Sequence, residues 1–158
     1  MADFFTEFRN DHRFVLRALV DLREAIDAHD VARAFQVLEA LDAATGPHME
    51  FEERYLYPLL APLVGDRRVK ELIDAHTGAA NMLYKAKQTV GKEILTAEDM
   101  EFLRGFIEGF LQHASDCEGT ALLAETLSQE QIEQLGEQLV ALRSTGKPLT
   151  VYKGVVTE

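Results

Sequence analysis

The sequence predicts an all-α protein: an up-down-up-down antiparallel four-helix bundle with a shorter fifth C-terminal helix and an irregular tail. Two observations predict this fold. Apolar residues recur every three or four positions through almost all of the 158-residue chain, which is the spacing of one helix face. Helix-breaking residues are confined to short stretches, and short connections make consecutive helices antiparallel neighbours. The breaking stretches are "AHD" at 28–30, "LVGD" at 63–66, "VGKEILT" at 90–96 and "TLS" at 126–128.

These stretches divide the chain into predicted helices over about residues 4–28, about 31–63, about 67–90, about 97–125 and about 129–143. The residues at the helix starts agree with these limits. Asp30 and Asp66 stand at N-cap positions of the second and third helices, and Gly65 comes just before the latter. "TAED" at 96–99 and "SQEQ" at 128–131 resemble the capping boxes that begin helices.

The second predicted helix contains an internal Gly46–Pro47 pair. Proline has no amide proton to donate to the carbonyl of Ala43, so we expect the helix to kink or restart immediately before His48. Pro58 and Pro62 predict further disturbance in its last turns.

We divide the chain into a bundle, residues 1–126, and a C-terminal helix with a tail, residues 127–158, packed on the bundle or trailing from it. The tail at 144–158 has no helical period. Its apolar residues Leu149, Val151 and Tyr152 could dock on the bundle or fray, and the sequence leaves both alternatives open.

Charge and composition restrict the partners and the location. A net charge of -11 argues against nucleic acid and anionic lipid, which both require a basic surface. The first residues, "MADFFTEFRNDH", mix acids with apolar side chains, so we expect no signal peptide, and no apolar run approaches the length of a membrane span. Cys117 is the only cysteine, which suits a reducing compartment. We therefore expect a cytoplasmic protein.

Each of the four long predicted helices has one histidine on its apolar stripe. A single histidine on such a face is usually a satisfied core residue. If roughly a third of helical positions face the core, four histidines would land there independently with a chance on the order of one in a hundred. The four are His12, His48, His76 and His113. His29 lies in a predicted loop and is given no role.

The positions of these histidines along the helices also coincide. At about 1.5 Å per residue, the four imidazoles fall between about 12 and 22 Å from the same end of the bundle. Glu52 and Glu118, which follow the second and fourth histidines, fall at about 16 and 10 Å. We therefore expect the six side chains to converge on one layer of the core.

Buried imidazoles and carboxylates point to bound cations. Without partners they would destabilise the fold by on the order of several kcal/mol per charged group. Imidazole and carboxylate together suit iron, manganese or zinc rather than calcium or magnesium, and six ligands exceed what one tetrahedral zinc needs. We predict a dinuclear centre with positions left for a bridging oxygen species and an exogenous small molecule.

Four segments have the residue pattern of a known family: "NDHRFVLRAL", "HMEFEERYLYPLL", "DAH" and "HASDCE". The order His-x3-Glu at His48 and Glu52 is the reverse of the Glu-x-x-His order used by ferritin-like bundles. Over about residues 5–125 the chain resembles a hemerythrin-like (HHE cation-binding) domain. The resemblance implies a non-haem di-iron site with two iron ions and an oxo or hydroxo bridge; zinc or manganese could replace iron in a purified sample. The implied metal ligands are His12, His48, Glu52, His76, His113 and Glu118.

The chain departs from the invertebrate oxygen carriers of this family in its third helix. Those carriers have two histidines four residues apart there, whereas Leu72 and Ala80 stand at those distances from His76. The missing ligand leaves a coordination position for water, Tyr55 or Glu53, and it weakens the case for a dedicated reversible oxygen carrier. Tyr55 is alternatively a core residue with a hydrogen-bonded hydroxyl or a proton and electron donor, and Glu53 is alternatively solvent-facing.

A second departure lies in the fourth helix. Cys117 stands four residues after His113, in the place that Glu52 takes after His48, and Glu118 stands five residues after it. The carriers have their acid at the fifth position, so the resemblance favours Glu118 as the ligand. Cys117 remains an additional candidate ligand, although a buried cysteine is more often a small core residue.

These features favour a non-haem di-iron protein that binds dioxygen, nitric oxide, peroxide or iron itself. The second reading is a di-iron enzyme that turns over peroxide or nitric oxide at the open coordination position. A metal-dependent sensor or interaction module is the third reading, and a structural bundle with zinc or nothing bound is the fourth. The expected partner is thus a small diatomic or peroxide ligand, with no nucleic acid or membrane involved.

Overall fold

The computed structural model describes residues 2–158, and every regular element in that range is helical. The long elements agree closely with the predicted ones. In chain order the helical elements are α1 (Phe4–Asp27), α2 (Val31–Phe51), a π-helical turn (Glu52–Leu56), α3 (Tyr57–Val64), α4 (Asp66–Val90), α5 (Ala97–Leu122), a 3-10 turn (Leu123–Thr126), α6 (Gln129–Thr145) and α7 (Leu149–Tyr152).

Local sequence explains where the helices begin. Asp3 caps α1 by accepting a hydrogen bond from the Thr6 amide at 3.0 Å, and Asp30 caps α2 in the same way. Helices α5 and α6 begin with capping boxes at Thr96 and Ser128. Each cap provides acceptors for amides that have no partner inside the helix.

The layer of the core that contains the four predicted histidines lies between two apolar clusters. Helix α1 packs against α2 and α5, and α4 packs against the same two helices. On α1, Phe8 belongs to one cluster and Leu19 to the other, and His12 lies between them. Helices α4 and α5 change from one cluster to the other at their own histidines, His76 and His113. The polar layer is therefore bounded by apolar packing on both sides.

Helix α2 continues through Pro47 to Phe51, so the restart expected at this proline is not observed. The irregularity comes later, in the π-helical turn Glu52–Leu56, where the Tyr57 amide bonds to the Glu52 carbonyl. A π-helical turn accommodates one extra residue and rotates the side chains that follow it. Pro58, in the first turn of α3, lies directly after it.

The C-terminal segment docks on the bundle, which decides between the two alternatives for the tail. Helix α6 packs against α1 and α2, and α7 packs against α2 and α4. Leu149 is fully buried. Asp42 on α2 accepts hydrogen bonds from the Thr150 amide at 2.9 Å and the Thr150 hydroxyl at 2.7 Å. Whether residues 127–158 form a unit separate from the bundle stays a prediction.

Within residues 2–158, no helix combines the length and the apolar character that a bilayer crossing requires.

Candidate metal centre

Glu52 lies at the centre of the polar layer and is completely buried. One carboxylate oxygen, Oε1, lies 3.6 Å from His48 Nε2 and 3.3 Å from His76 Nε2. His12 joins the group because its Nε2 lies 3.2 Å from His48 Nε2. His113 is adjacent, with its ring centroid 5.1 Å from that of His76. The structure therefore brings together the four predicted histidines and Glu52.

The second oxygen of Glu52 has no hydrogen-bond partner. Oε2 is the one buried side-chain oxygen or nitrogen in residues 2–158 that lacks a partner. Leaving a buried carboxylate oxygen unpaired is strongly unfavourable. A cation bound next to Oε2 would compensate for this, and the donor atoms around it are of the right type.

Cys117 is part of this group, in the position that the sequence analysis ranked second. Its Sγ lies 3.4 Å from His113 Nε2 and 3.8 Å from Glu52 Oε1. The ligand atoms of Glu52, His76, His113 and Cys117 all lie within 4.8 Å of one another. Four donors of these types at this spacing can hold a single metal ion.

Glu118 lies elsewhere than the sequence analysis expected. Its carboxylate is 2.6 Å from Nδ1 of His12, on the outer side of that ring, and the side chain is 42 % exposed. Helix geometry explains the difference. A residue four positions after His113 is rotated from it by only roughly 40°, whereas the fifth is rotated by roughly 140°. Cys117 therefore points with His113 into the core, and Glu118 points across to α1.

Three of the four histidines are held from outside by a carboxylate. Glu118 bonds His12 Nδ1 at 2.6 Å, Asp11 bonds His48 Nδ1 at 2.8 Å, and Glu53 bonds His76 Nδ1 at 2.7 Å. Such pairs fix the orientation of metal-binding imidazoles and leave Nε2 free for the metal. Among the described residues, His113 has no carboxylate bonded to its ring.

Sequence reasoning missed the roles of Asp11 and Glu53. Asp11 was given none, and Glu53 was considered as a ligand or a solvent-facing residue. Their positions directly beside His12 and Glu52 were a usable signal, because the helix that supplies one ligand often supplies the outer partner of another. Glu53 also accepts from the Tyr152 hydroxyl at 2.9 Å and pairs with Lys153. The docked tail therefore contacts the shell of the site.

Tyr57, rather than Tyr55, faces the centre. Tyr57 is buried, and its hydroxyl lies 3.2 Å from His76 Nε2. Tyr55 is only partly buried and packs near Phe51, beneath the Arg54 guanidinium. The π-helical turn explains this exchange, because an α-helix would place residues 55 and 56 over Glu52, whereas the i→i−5 hydrogen bond of the turn places residues 56 and 57 there. The Tyr57 hydroxyl thus lies beside His76, on the helix that lacks the second histidine of the oxygen carriers.

The imidazoles around Glu52 favour its charged form. Burial alone would raise the pKa of Glu52, but His48, His76 and His113 outweigh it and lower the pKa to about 2. Burial and the neighbouring His76 lower the pKa of His113 to about 4. Glu52 is therefore a carboxylate, and His113 a neutral imidazole, over the physiological range. Both are in the protonation state that a metal requires.

His48 and His76 have the opposite tendency. Burial lowers the pKa of His48, but Glu52 and Asp11 more than compensate, so the pKa is raised. Burial likewise opposes the charge on His76, and Glu52 and Glu53 together raise its pKa. In the metal-free protein these two imidazoles therefore keep their protons to a higher pH than a free histidine does, and a cation would have to displace those protons.

The Cys117 thiol is held neutral in the metal-free protein. Burial and the nearby Glu52 carboxylate raise its pKa. A thiol in this setting is unreactive by itself, and a bound metal ion would be needed to favour the thiolate.

Together these residues provide two adjoining sets of metal donors. His12, His48 and Glu52 form one set, and Glu52, His76, His113 and Cys117 form the other. Nitrogen, carboxylate and thiol donors suit iron or zinc, and they do not suit calcium or magnesium. The residues present therefore fit a transition-metal centre in which Glu52 belongs to both sets.

Comparison with known families finds a match to a family of cation-binding domains. Residues 3–122 match the family described as "Hemerythrin HHE cation binding domain". No curated protein and no solved structure matches the chain significantly.

Proposed function

The chain belongs to the hemerythrin HHE cation-binding domain family, and from this premise we propose that it holds two iron ions and binds a small molecule such as dioxygen or nitric oxide. This function is supported above all by one observation, the environment of the Glu52 carboxylate. The carboxylate is buried among imidazoles from several helices, and its Oε2 has no partner within the described chain.

The proposal assigns one iron to each donor set. His12 and His48 would serve the first, His76, His113 and Cys117 the second, and Glu52 would be shared. Support comes from the short distances of Glu52 Oε1 to both His48 and His76. The first set has fewer protein donors, so it has room for water or for an added ligand.

Iron held in this way supplies a redox couple and an open coordination position. The protein would supply orientation and the exclusion of water. Phe8 is buried, and its ring centroid lies 4.6 Å from those of both His12 and His48. This ring covers one side of the first donor set and favours an apolar ligand over water there.

A di-iron enzyme that turns over peroxide or nitric oxide is the second candidate, and Tyr57 favours it. The Tyr57 hydroxyl lies beside His76, and burial and Glu52 raise its pKa. Such a group holds its proton firmly and can donate a hydrogen bond to a ligand in the site. Peroxide or nitric oxide consumption that is lost in Tyr57→Phe while the iron content is retained would favour the enzyme.

Two further features belong to the proposal. The four long helical segments run up-down-up-down, as supported by the short connection between α1 and α2 and by Gly65 between α3 and α4. The protein works in the cytoplasm, where a reducing environment would keep Cys117 available as a ligand.

Metal analysis of protein produced with ample iron tests the function. We expect about two iron ions per chain and a visible absorption that shifts with nitric oxide or azide. Glu52→Gln should lose most of the iron, whereas Glu101→Gln, an exposed site on α5, should retain it. Zinc alone, no metal, or equal iron content in the two variants would contradict the proposal.

A further inference from the structure

A groove between α4 and α5 reaches the site from the surface. Its volume is about 290 Å³, and His113 forms part of its wall. The groove exists because small residues face each other across the two helices, namely Ala75 and Ala79 on α4 and Gly105 and Gly109 on α5. Without side chains at the two glycines, the helices leave a gap that the remaining residues do not fill.

His113 connects this groove to the metal donors. The same ring that lines the groove has its Nε2 3.4 Å from Cys117 Sγ. The groove and the second donor set are therefore separated by a single imidazole. Because this ring alone lacks an outer carboxylate among the described residues, it is the least constrained of the four.

In the grooves at two other histidines, a carboxylate in the groove wall is bonded to the ring. At His48, Asp11 bonds the ring and is itself bonded by Arg143 Nη2 at 2.8 Å. At His12, Glu118 bonds the ring, and Arg9 and Arg13 line the same groove. An apolar ligand entering by either way would have to displace a carboxylate from a histidine. The α4–α5 groove imposes no such requirement.

We propose that the α4–α5 groove is the entry route and waiting site for an apolar diatomic gas, which passes His113 to reach the metal centre, whose open position lies in the first donor set on the other side of Glu52. This inference rests on the proposed metal function. Met82 and Phe106 make the walls apolar, so a neutral gas can partition into the groove from water. Asp116 at its edge and the net charge of -11 disfavour an anion such as azide.

The groove can be filled without disturbing the fold. A Cβ atom built on Gly105 or Gly109 would meet no atom within 4 Å, so a leucine at either position can extend into open space. The same is true of Gly78, which is exposed on α4 and does not line the groove. Gly78→Leu is therefore a matched control for both variants.

Nitric oxide binding to the iron-loaded, reduced protein tests the route. In stopped-flow measurements, Gly109→Leu and Gly105→Leu should slow the association rate about tenfold, equivalent to about 1.4 kcal/mol in the entry barrier. Gly78→Leu should leave this rate unchanged, and iron content should be the same in all three variants. Azide binding should slow much less, because an anion would not use an apolar route.

Xenon provides a readout that does not depend on iron chemistry, since it occupies apolar cavities. In the protein as purified, dissolved xenon should shift the amide NMR signals of Gly105 and Gly109, and Gly109→Leu should abolish the shift. Unchanged nitric oxide rates with full iron content, or no xenon response, would overturn the entry route and leave the proposed function standing. A parent protein without iron would instead contradict the proposed function.

Discussion

At the scale of single residues, Cys117 makes the two donor sets chemically different. It is the only cysteine in the chain and lies among Glu52, His76 and His113. A thiolate is a softer and more electron-rich donor than imidazole or carboxylate. The metal ion beside it should therefore differ from its neighbour in spectrum and in reduction potential.

Cobalt substitution detects this thiolate directly. We expect the cobalt(II) protein to show a near-ultraviolet sulfur-to-cobalt charge-transfer band, and Cys117→Ser to lose it. Glu118→Gln is the matched control, because Glu118 contacts His12 from outside. It should keep the band and weaken metal binding by only about 10- to 100-fold. With a single cysteine present, a band that survives in Cys117→Ser would contradict thiolate ligation.

Protons on His48 and His76 give metal binding a defined pH dependence. Burial opposes their charge, but neighbouring carboxylates raise the pKa of both imidazoles above 6.5. Between 6.5 and the raised values, each ring in the folded, metal-free protein holds a proton that a free histidine has already lost. A cation must displace these protons, so its affinity should rise as the pH rises through that window.

Zinc titration in weakly buffered solution measures how many protons the protein releases when it binds metal. At pH 6.5, below the raised pKa values of both imidazoles, we expect more than one proton per chain, since both rings and the Cys117 thiol contribute. Asp11→Asn removes a carboxylate that raises the His48 pKa, so it should reduce the number released. Asp21→Asn, at an exposed position on α1, should not. Metal binding that released no protons would contradict the assigned protonation states.

The four histidines could be predicted because they lie on regular stretches of helix, and Glu52 because it comes one turn after His48, where the π-helical turn only begins. His12, His48, His76 and His113 each continue an apolar stripe, so periodicity alone placed them in the core. The outer partners could not be predicted in this way. Asp11 and Glu53 lie off the apolar stripes of their own helical segments, yet only 18 % and 12 % of their side chains are exposed. They are covered because each contacts an imidazole on another helix, His48 for Asp11 and His76 for Glu53.

At the scale of elements, the π-helical turn Glu52–Leu56 determines which tyrosine enters the site. Counting at α-helical spacing from Glu52 leads to positions 55 and 56, whereas the π-helical turn shifts the inward pair by one residue, to positions 56 and 57, and so brings in Tyr57. The sequence could not reveal this. Both positions hold the same residue type, so the apolar pattern fits either register.

A pair of conservative variants tests which of the two tyrosines the π-helical turn directs into the site. Tyr57→Phe removes a hydroxyl 3.2 Å from His76 Nε2, on the side of the ring that faces the metal donors, so we expect an altered visible spectrum of the iron protein at unchanged iron content. Tyr55→Phe should leave the spectrum and the iron content unchanged, since that ring packs near Phe51 at the edge of the core. Equal effects of the two variants would argue against the inward orientation of Tyr57.

At the scale of the whole molecule, the C-terminal segment connects the outside of the bundle to the metal centre. Thr150 bonds the buried Asp42, which also accepts from Lys87 Nζ at 2.6 Å. Further along, Lys153 pairs with Glu53, which holds His76. The apolar residues of the tail indicated that docking was feasible, but its polar partners are Asp42 on α2 and Glu53 in the π-helical turn, which no local pattern identifies.

The docking of the tail requires that residue 46 has no Cβ atom, as in Gly46. A Cβ atom at Gly46 would lie 1.8 Å from the Lys147 carbonyl oxygen and 2.6 Å from the Leu149 amide nitrogen. Both are backbone atoms, so the tail itself must move. Gly46→Ala should therefore lower the free energy of unfolding by at least about 1–3 kcal/mol, even though alanine favours the helix.

The comparison with Gly119→Ala separates packing from helix propensity. Gly119 lies in α5 with no atom within 4 Å of its Cβ position, so alanine there should be neutral or stabilising by up to about 1 kcal/mol. Only Gly46→Ala should speed tryptic cleavage at Lys147 or Lys153 and weaken metal binding, because a displaced tail releases Glu53 from Lys153 and Tyr152. Equal stability and equal cleavage rates in the two variants would show that the tail does not support the site.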